Sequence, residues 1–463
     1  MNGGANMPLN LSQREADKLV SDATGLSRER IDELQLERLR ELVAYARSNS
    51  PYFKEKYRGL SDTPGLADIP VTLRSELTAR FDDWVTDREI KGAELRAFVT
   101  DFANLAKSFK GYKAMTTSGT TGDPLMLLRD DRHGAVHGAL MSQRYLGGAC
   151  LKEVKGLKAA RDMKVCAIIS NKGFHSAYLS YLRTREQLKA IGKEDNLLLI
   201  PVDTPLHEME RRLNEFQPDA IACYPSAMLT LAPSKQAGRL DIAPKYIACS
   251  AEQLTEDSRQ LLMKTFGCPV LNNYCSTEGG EIAMSCPKGH MHVNSDWVIV
   301  EPVDGDNRPT PPGALSNGVL ITNLANLVQP VIRYRLTDKV IWHDEPCGCG
   351  LNLPFIELRG REEEILTFEA DGRRIPISPT VMMLAALDIE GCGAAQFIQK
   401  LNGALEIRME AEHGYEWAAV GENLRNYLQK VIESNGLTAR VTLSSEPFIR
   451  TAGGKFRATL KEE

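Results

Sequence analysis

Between residues 165 and 275 the chain alternates two patterns, and that alternation constrains its fold more than any other feature. Short apolar runs, VCAIIS (165–170), LLLIPV (197–202), AIACYP (220–225), YIACSA (246–251) and VLNNYC (270–275), are separated by longer segments of mixed polarity such as TPLHEMERRLNEF and TEDSRQLLMKTF. A short, continuously apolar run fits a strand buried on both faces, and a longer amphipathic segment fits a helix. Strand and helix in regular succession predict a parallel sheet covered on both faces, an α/β architecture.

The flanks differ. Residues 28 to 57 carry Ile31, Leu34, Leu39, Leu42, Val43 and Ala46 at helical spacing, with Ser27 placed to cap the helix. After about residue 290 the runs VIVEPV, GVLITNL, KVIWHD and PFIELRG follow one another without helices between them, which predicts a mainly antiparallel subdomain. Beyond LRGREEE (358–364) the pattern predicts a helix at 379–388, strands near 395–400 and 404–410, a helix at 414–435 and a strand at 439–445. That is a small α+β domain of about a hundred residues, an ordinary module size. At 463 residues the chain is too long for one ordinary domain. The expected division is a large domain, 1–361, and a small one, 362–463. No repeat or low-complexity tract interrupts it.

A net charge of −5 provides no basic footprint for nucleic acid or an anionic membrane. The N-terminal stretch MNGGANMPLNLSQREADKL has no apolar signal core, and no run approaches the ~18 apolar residues of a membrane span. A cytoplasmic protein is the expectation. The ten cysteines agree with it. Most sit in apolar runs, as Cys166, Cys223 and Cys249 do, and behave as small buried hydrophobes in a reducing compartment.

The stretch TTSGTTGDP (116–124) is rich in hydroxyls and glycines and returns at once to the apolar LMLL. Such a composition serves a flexible turn. It also serves a phosphate cradle, since glycines let the backbone approach an anion and N–H and hydroxyl groups donate to it. It is not a Walker A loop, which needs Lys and Ser or Thr after its last glycine; here Gly122 is followed by Asp123 and Pro124. GGKF has Lys455 but no hydroxyl after it. Four further segments follow in order: SAEQL (250–254), NYCSTEGG (273–280), IRYRLTD (332–338) with LRGREEE, and GGKFR (453–457). With these five, the chain resembles the adenylate-forming ligase superfamily of acyl-CoA synthetases and adenylation domains, and within it the phenylacetate–CoA ligase and coenzyme F390 synthetase-like branch. The resemblance runs from about residue 30 to the end.

Such enzymes join a carboxylate to AMP, releasing pyrophosphate, and must stabilise negative charge gathering on the α-phosphate. The resemblance implies that Thr116, Thr117, Ser118, Gly119, Thr120, Thr121 and Gly122 form a mobile loop on the β- and γ-phosphates of ATP. Asp123 departs from the Lys or Asn common there, which removes a cation. Tyr274 would stack on adenine, Thr277 would touch the α-phosphate, and Glu278 would hold Mg²⁺, a hard cation suited to carboxylate oxygens. Cys275 replaces a usual glycine and is expected to be a buried, inert thiol. Ala251 and Glu252 would border the adenine, Asp338 would bind the ribose hydroxyls, and Arg361 would reach the nucleotide. Glu362 and Glu363 stand at the implied hinge, and Lys455 would swing in with a mobile C-terminal domain to meet the α-phosphate and carboxylate.

CPKGHMH (286–292) and CGC (347–349) bracket the antiparallel segment. Cys286, His292, Cys347 and Cys349 offer four ligands for a closed tetrahedral Zn²⁺ site, with His290 as a competing ligand; two reduced loops are the alternative. His175 is a candidate for the acyl pocket or a structural histidine. Ser226 lacks the flanking glycines of a nucleophile elbow, which excludes a hydrolase of that kind. The resemblance implies ATP- and Mg²⁺-dependent activation of a small carboxylic acid, aryl or arylacetic, as an acyl-adenylate, then transfer to coenzyme A. The alternatives are transfer to an amine, another nitrogen nucleophile or a carrier-protein thiol, and a nucleotide-binding regulator that retained the fold. Neither nucleic acid nor membrane is an expected partner, and a homodimer is one expected assembly.

Overall fold

The computed structural model describes residues 10–117, 124–146, 161–171, 173–202, 204–359, 366–370, 373–377, 379–412, 414–449 and 458–462. Contacts divide the chain into two compact units. One comprises Met1–Met115, Met126–Asp162 and Leu271–Arg361; the other comprises Thr116–Leu125, Met163–Val270 and Glu362–Glu463.

The first unit opens with helices. Gln13–Thr24 begins with a reciprocal cap, in which the Ser12 hydroxyl accepts from the Glu15 N–H and the Glu15 carboxylate accepts from the Ser12 N–H. Arg28–Asn49 is capped by Ser27 as expected and buries Ile31, Leu39, Leu42, Val43 and Ala46. The expected run to residue 57 is broken at Ser50, whose hydroxyl caps a second short helix, Pro51–Lys56. Proline at a first helical position starts a helix readily but cannot continue one. The stripe also buries Arg38, which lies 3.6 Å over the Trp297 ring, and burial lowers its pKa to about 10. Nearby, Arg144 makes a two-pronged pair with the buried Asp296, at 2.7 and 2.9 Å.

The antiparallel subdomain is present. Val298–Val303, Gly318–Asn323 and Tyr334–Leu336 form a three-stranded antiparallel sheet. Strands Val270–Ser276, Gly280–Ser285, Met291–Val293, Phe355–Leu358 and Val340–His343 pair antiparallel in that spatial order. Lys113–Thr116 and Met126–Arg129 pair as a short ribbon. Residues 324–332 are a loop buried along its whole length. A buried loop must have its backbone groups satisfied, and here distant side chains do it. Trp84 Nε1 donates to the Pro330 carbonyl at 2.6 Å, the Thr86 hydroxyl to Leu327, and Arg132 to Leu324 and Ala325, while Asp130 accepts from the N–H groups of Leu327 and Val328.

The second unit holds the α/β pattern. Tyr246–Ser250, Ala220–Cys223, Val165–Ile169 and Leu197–Pro201 are parallel and adjacent in that order. Leu206–Phe216 and Glu256–Phe266 are the expected helices, the latter capped by Thr255. Alternate strand residues face opposite layers, as the two-residue period demands. Cys166, Ile168, Ile221, Cys223, Ile247 and Cys249 pack with Met209, Leu213, Met228 and Leu262 on one face. Ala167 and Ile169 meet Tyr178 and Tyr181 of the helix Ser176–Lys189 on the other. Toward the C-terminus, Pro379–Asp388 and Trp417–Ser434 accompany a four-stranded mixed sheet in the order Val441–Ser444, Leu405–Ala411, Cys392–Gln399, Thr459–Lys461. Thr459–Lys461 and the hairpin Leu366–Ala370/Arg373–Ile377 are additions to the expected elements.

Candidate active site

The turn at 276–280 of the first unit is braced by side chains from distant parts of the sequence. Tyr274 is buried near the end of its strand, and a bulge between Tyr274 and Cys275 shifts the register, so that Cys275 stands opposite Glu281. Thr277 and Glu278 follow on the connecting turn; Thr277 is half-buried and Glu278 is 8% exposed. Three groups fix the turn's backbone. Arg129 donates to the carbonyls of Thr277 at 3.1 Å and Ser276 at 3.4 Å. Asn323 Nδ2 donates to the Glu278 carbonyl at 3.2 Å, and the Ser276 hydroxyl accepts from the Gly279 N–H at 2.8 Å. Gly280 has φ +72°, and a β-carbon there would meet His133 Nε2 at 2.9 Å, so both backbone and neighbour require glycine.

The braces are themselves anchored. Leu128 lies in the strand before Arg129; its N–H donates to Gln329 Oε1 and its carbonyl accepts from Asn326 Nδ2. Asp130 caps the helix Asp131–Ala139, accepting from the His133 N–H at 2.8 Å. That helix carries His133 and His137 four residues apart, on one face. His133 covers Gly280, and His137 Nδ1 lies 3.2 Å from Glu281 Oε1. Burial and the nearby Glu281 charge, partly offset by Arg129, push the Cys275 thiol up to about 12, so it is protonated at neutral pH and inert as expected. Arg129, Asn323, His133, His137 and Glu281 were not singled out from the sequence.

The other nucleotide candidates are distributed. Asp338, 6% exposed, lies in the first unit between Tyr334–Leu336 and Val340–His343. Thr116 and Thr117 lie in the second unit at the neck of the glycine-rich stretch. The Thr117 N–H donates to the Leu125 carbonyl, and the Leu125 N–H donates back to the Thr117 hydroxyl, both at 3.0 Å. Ser118, Gly119, Thr120, Thr121, Gly122, Asp123, Arg361, Glu362, Glu363 and Lys455 lie outside the described residues. Ala251, also in the second unit, has φ +69°, a left-handed backbone that an alanine adopts only when its surroundings impose it. Glu252 beside it accepts from the Ser226 N–H at 3.1 Å, in the first turn of the helix Pro225–Gln236, where an acid also meets the helix dipole. His175 precedes the helix Ser176–Lys189; burial lowers its pKa against a hydrogen bond with the Thr116 backbone.

Cys286, His292, Cys347 and Cys349 converge, their ligand atoms all within 4.8 Å of one another. The fit to a tetrahedral ion can be tested. With Zn–S near ~2.3 Å and Zn–N near ~2.05 Å, tetrahedral neighbours should stand roughly 3.8 Å (S to S) and 3.5 Å (S to N) apart. Cys286 Sγ and Cys347 Sγ are 3.6 Å apart, and Cys349 Sγ and His292 Nε2 are 3.4 Å apart. His292 Nδ1 donates to the Leu353 carbonyl at 2.8 Å, which leaves Nε2 as the ligand atom. His290 stacks on Phe355 with 4.5 Å between centroids and places Nδ1 3.1 Å from Cys347 Sγ, outside the converging four. Gly348 at φ +67° reverses the chain between the paired thiols. The residues present fit a structural zinc ion.

No family model matches the chain. It is 24% identical over 94% of its length, and 97% of the relative's, to a phenylacetate–coenzyme A ligase of Thermus thermophilus. Among solved structures, 2-hydroxyisobutyryl-CoA ligase in complex with 2-HIB-AMP and CoA aligns over 100% of this chain and 95% of that one, with a TM-score of 0.60 at 18% identity. The same enzyme in the postadenylation state aligns with a TM-score of 0.57 at 17% identity. The resemblance drawn from five motifs thus extends along the chain. Among the described residues no helix is long and apolar enough to cross a membrane.

Proposed function

We propose that the protein is an AMP-forming acid–thiol ligase: it activates a carboxylic acid, aryl or arylacetic, with ATP as an acyl-adenylate and transfers the acyl group to coenzyme A. The observation that carries this reading is the braced turn bearing Thr277 and Glu278, in a chain similar over nearly its full length to a phenylacetate–coenzyme A ligase. Preorganised donors aimed at developing charge are the main source of catalysis in such reactions, and Arg129 and Asn323 hold this turn's backbone. Thr277 meets the α-phosphate, Tyr274 the adenine and Asp338 the ribose. Ala251 and Glu252 border the base, and residues 116–122 close on the outer phosphates. When bound, Mg²⁺ neutralises charge on the phosphates; Glu278 would hold it. Arg361 contacts the nucleotide. Residues 362–463 act as the mobile domain that brings Lys455 to the α-phosphate. Cys286, His292, Cys347 and Cys349 hold zinc, which ties the antiparallel strands and takes no part in the chemistry, because four protein ligands leave no open position.

The test is ATP consumption over a panel of aryl and alkyl acids, with and without coenzyme A, the nucleotide and acyl products being identified by mass. AMP with an acyl-CoA is the expected result, and Lys455→Ala should lose adenylation. AMP formed without regard to coenzyme A, with the adenylate captured by an amine, would replace the acceptor. ADP, or full activity of Lys455→Ala, would overturn the adenylation reading.

A further inference from the structure

The adenylation reading leaves one buried acid without a task. Glu281 stands three residues after Glu278, opposite Cys275 across the antiparallel pair, where facing residues are about 5 Å apart. It shares a packed environment with His137, Cys275 and Arg129. Its carboxylate is only 14% accessible and approaches His137 at 3.2 Å, with His137 15% accessible. The His137 Nδ1 contact lacks the alignment of a full hydrogen bond. Among the described residues no other donor reaches the Glu281 carboxylate. The Cys275 thiol is small and neutral. Arg129 acts on Glu281 at longer range while its guanidinium donates to the Ser276 and Thr277 carbonyls.

A carboxylate can accept about four hydrogen bonds, and one held out of water is costly unless its lone pairs are used. Burial disfavours the charge on Glu281, yet His137 and Arg129 more than offset this, and its pKa is lowered. An anion with spare acceptor capacity therefore sits beside the turn that the proposed function assigns to the α-phosphate. Two local irregularities re-aim the surrounding side chains: the bulge at Tyr274/Cys275, and the passage of the His133–His137 helix into a π-helical stretch at Leu140–Leu146.

We infer that Glu281, positioned by His137, is a specificity-determining residue that receives a hydrogen-bond-donating substituent, a hydroxyl or protonated amino group, on the carboxylic acid. The inference rests on the adenylation reading and names the acid's class within it. A site built to bond a donor rejects an isostere that lacks it far more strongly than an apolar pocket rejects an extra methyl group.

The experiment measures ATP–pyrophosphate exchange with sets of aryl acids that differ at one ring position, carrying hydroxyl, amino or aminomethyl, or methyl. The wild-type enzyme should favour a donor acid over its methyl isostere by at least about a hundredfold in kcat/KM. Glu281→Leu should bring that ratio to about one or invert it. Glu281→Gln, close in shape and still polar, is the second variant and separates the two donors: it should keep part of a hydroxyl preference and lose an ammonium preference. His137→Gln should weaken the ratio with a smaller change in exchange of the methyl acid. Equal use of donor and methyl acids by the wild type, or an unchanged ratio in both Glu281 variants, overturns this inference and leaves adenylation standing. Exchange with no acid at all overturns the adenylation reading and this inference together.

Discussion

Replacing Cys347 by serine removes one thiol from the converging four and gives the sharpest test of the metal. The site ties Cys286 to Cys347 across a sequence separation of 61. Closing a loop of that length removes about 4 kcal/mol of unfolded-chain entropy. A metal held by four ligands should contribute at least that much, because it also joins residues 286 and 292 to the same knot. For a compact unit of about 150–250 residues, a loss of ~4 kcal/mol lowers Tm by roughly 8–16 °C. The assay is zinc content by inductively coupled plasma mass spectrometry, followed by thermal unfolding of wild type, chelator-treated wild type and Cys347→Ser. The wild type should carry one zinc per chain, and the other two samples should melt early and alike. Hydrogen exchange should rise in Met291–Val293 and Phe355–Leu358, whose register pairs His292 with Phe355. His292→Ala should lose zinc and His290→Ala should keep it. Wild-type protein purified without zinc, or a Cys347→Ser variant as stable as its parent, would refute the reasoning.

Further outcomes follow from the braced turn. Asn323→Ala removes the donor to Glu278 and the acceptor for the Ala325 and Asn326 N–H groups; leaving such buried groups unsatisfied should cost about 2–4 kcal/mol in denaturant unfolding and lower kcat more than it raises KM. Gly280→Ala forces a left-handed alanine at about 1–2 kcal/mol and drives a β-carbon against His133; exchange activity should fall at least about tenfold while the protein stays folded by circular dichroism. The folded pKa of Glu281 lies below its ordinary 4.5, so its contribution is present above that value and is lost as pH falls through the lowered folded pKa. Between about pH 7 and about pH 3, the wild type should therefore lose more stability than Glu281→Gln.

The parallel strands and their helices were legible because burial imposes local periods, and Ser27 caps where the sequence puts it. The Cys/His cluster was legible for a different reason: CPKGHMH and CGC offer metal-ligand residue types at close spacing. Pro51, which ends the long N-terminal helix, was also in plain view, but the apolar stripe hid the break. What was not legible is long-range. Arg129 meets Thr277 across a sequence separation of 148, Asn323 meets Glu278 across 45, and Arg38 was masked by its place in an apolar stripe over Trp297. An arginine after LMLL or a glutamate after a glycine pair looks like any strand end until the topology supplies its partner. The braces and the Glu281 pair therefore belong to the fold rather than to any local motif.

The buried loop at 324–332 sets a timetable for making the protein. Its backbone partners Trp84, Thr86, Asp130 and Arg132 precede it by sequence separations of 192 to 246. At ~5–20 residues per second, a ribosome needs about 10–50 s to synthesise the intervening chain. During that interval Trp84, Thr86, Asp130 and Arg132 lack the backbone groups they bond, while the intervening parallel strands are being synthesised. Nascent chains halted before residue 320 should be protease-sensitive across residues 80–140, and chains extended past residue 340 should be resistant there. The turn at 276–280 likewise waits for Asn323, so its backbone braces are complete only after the chain has passed that residue.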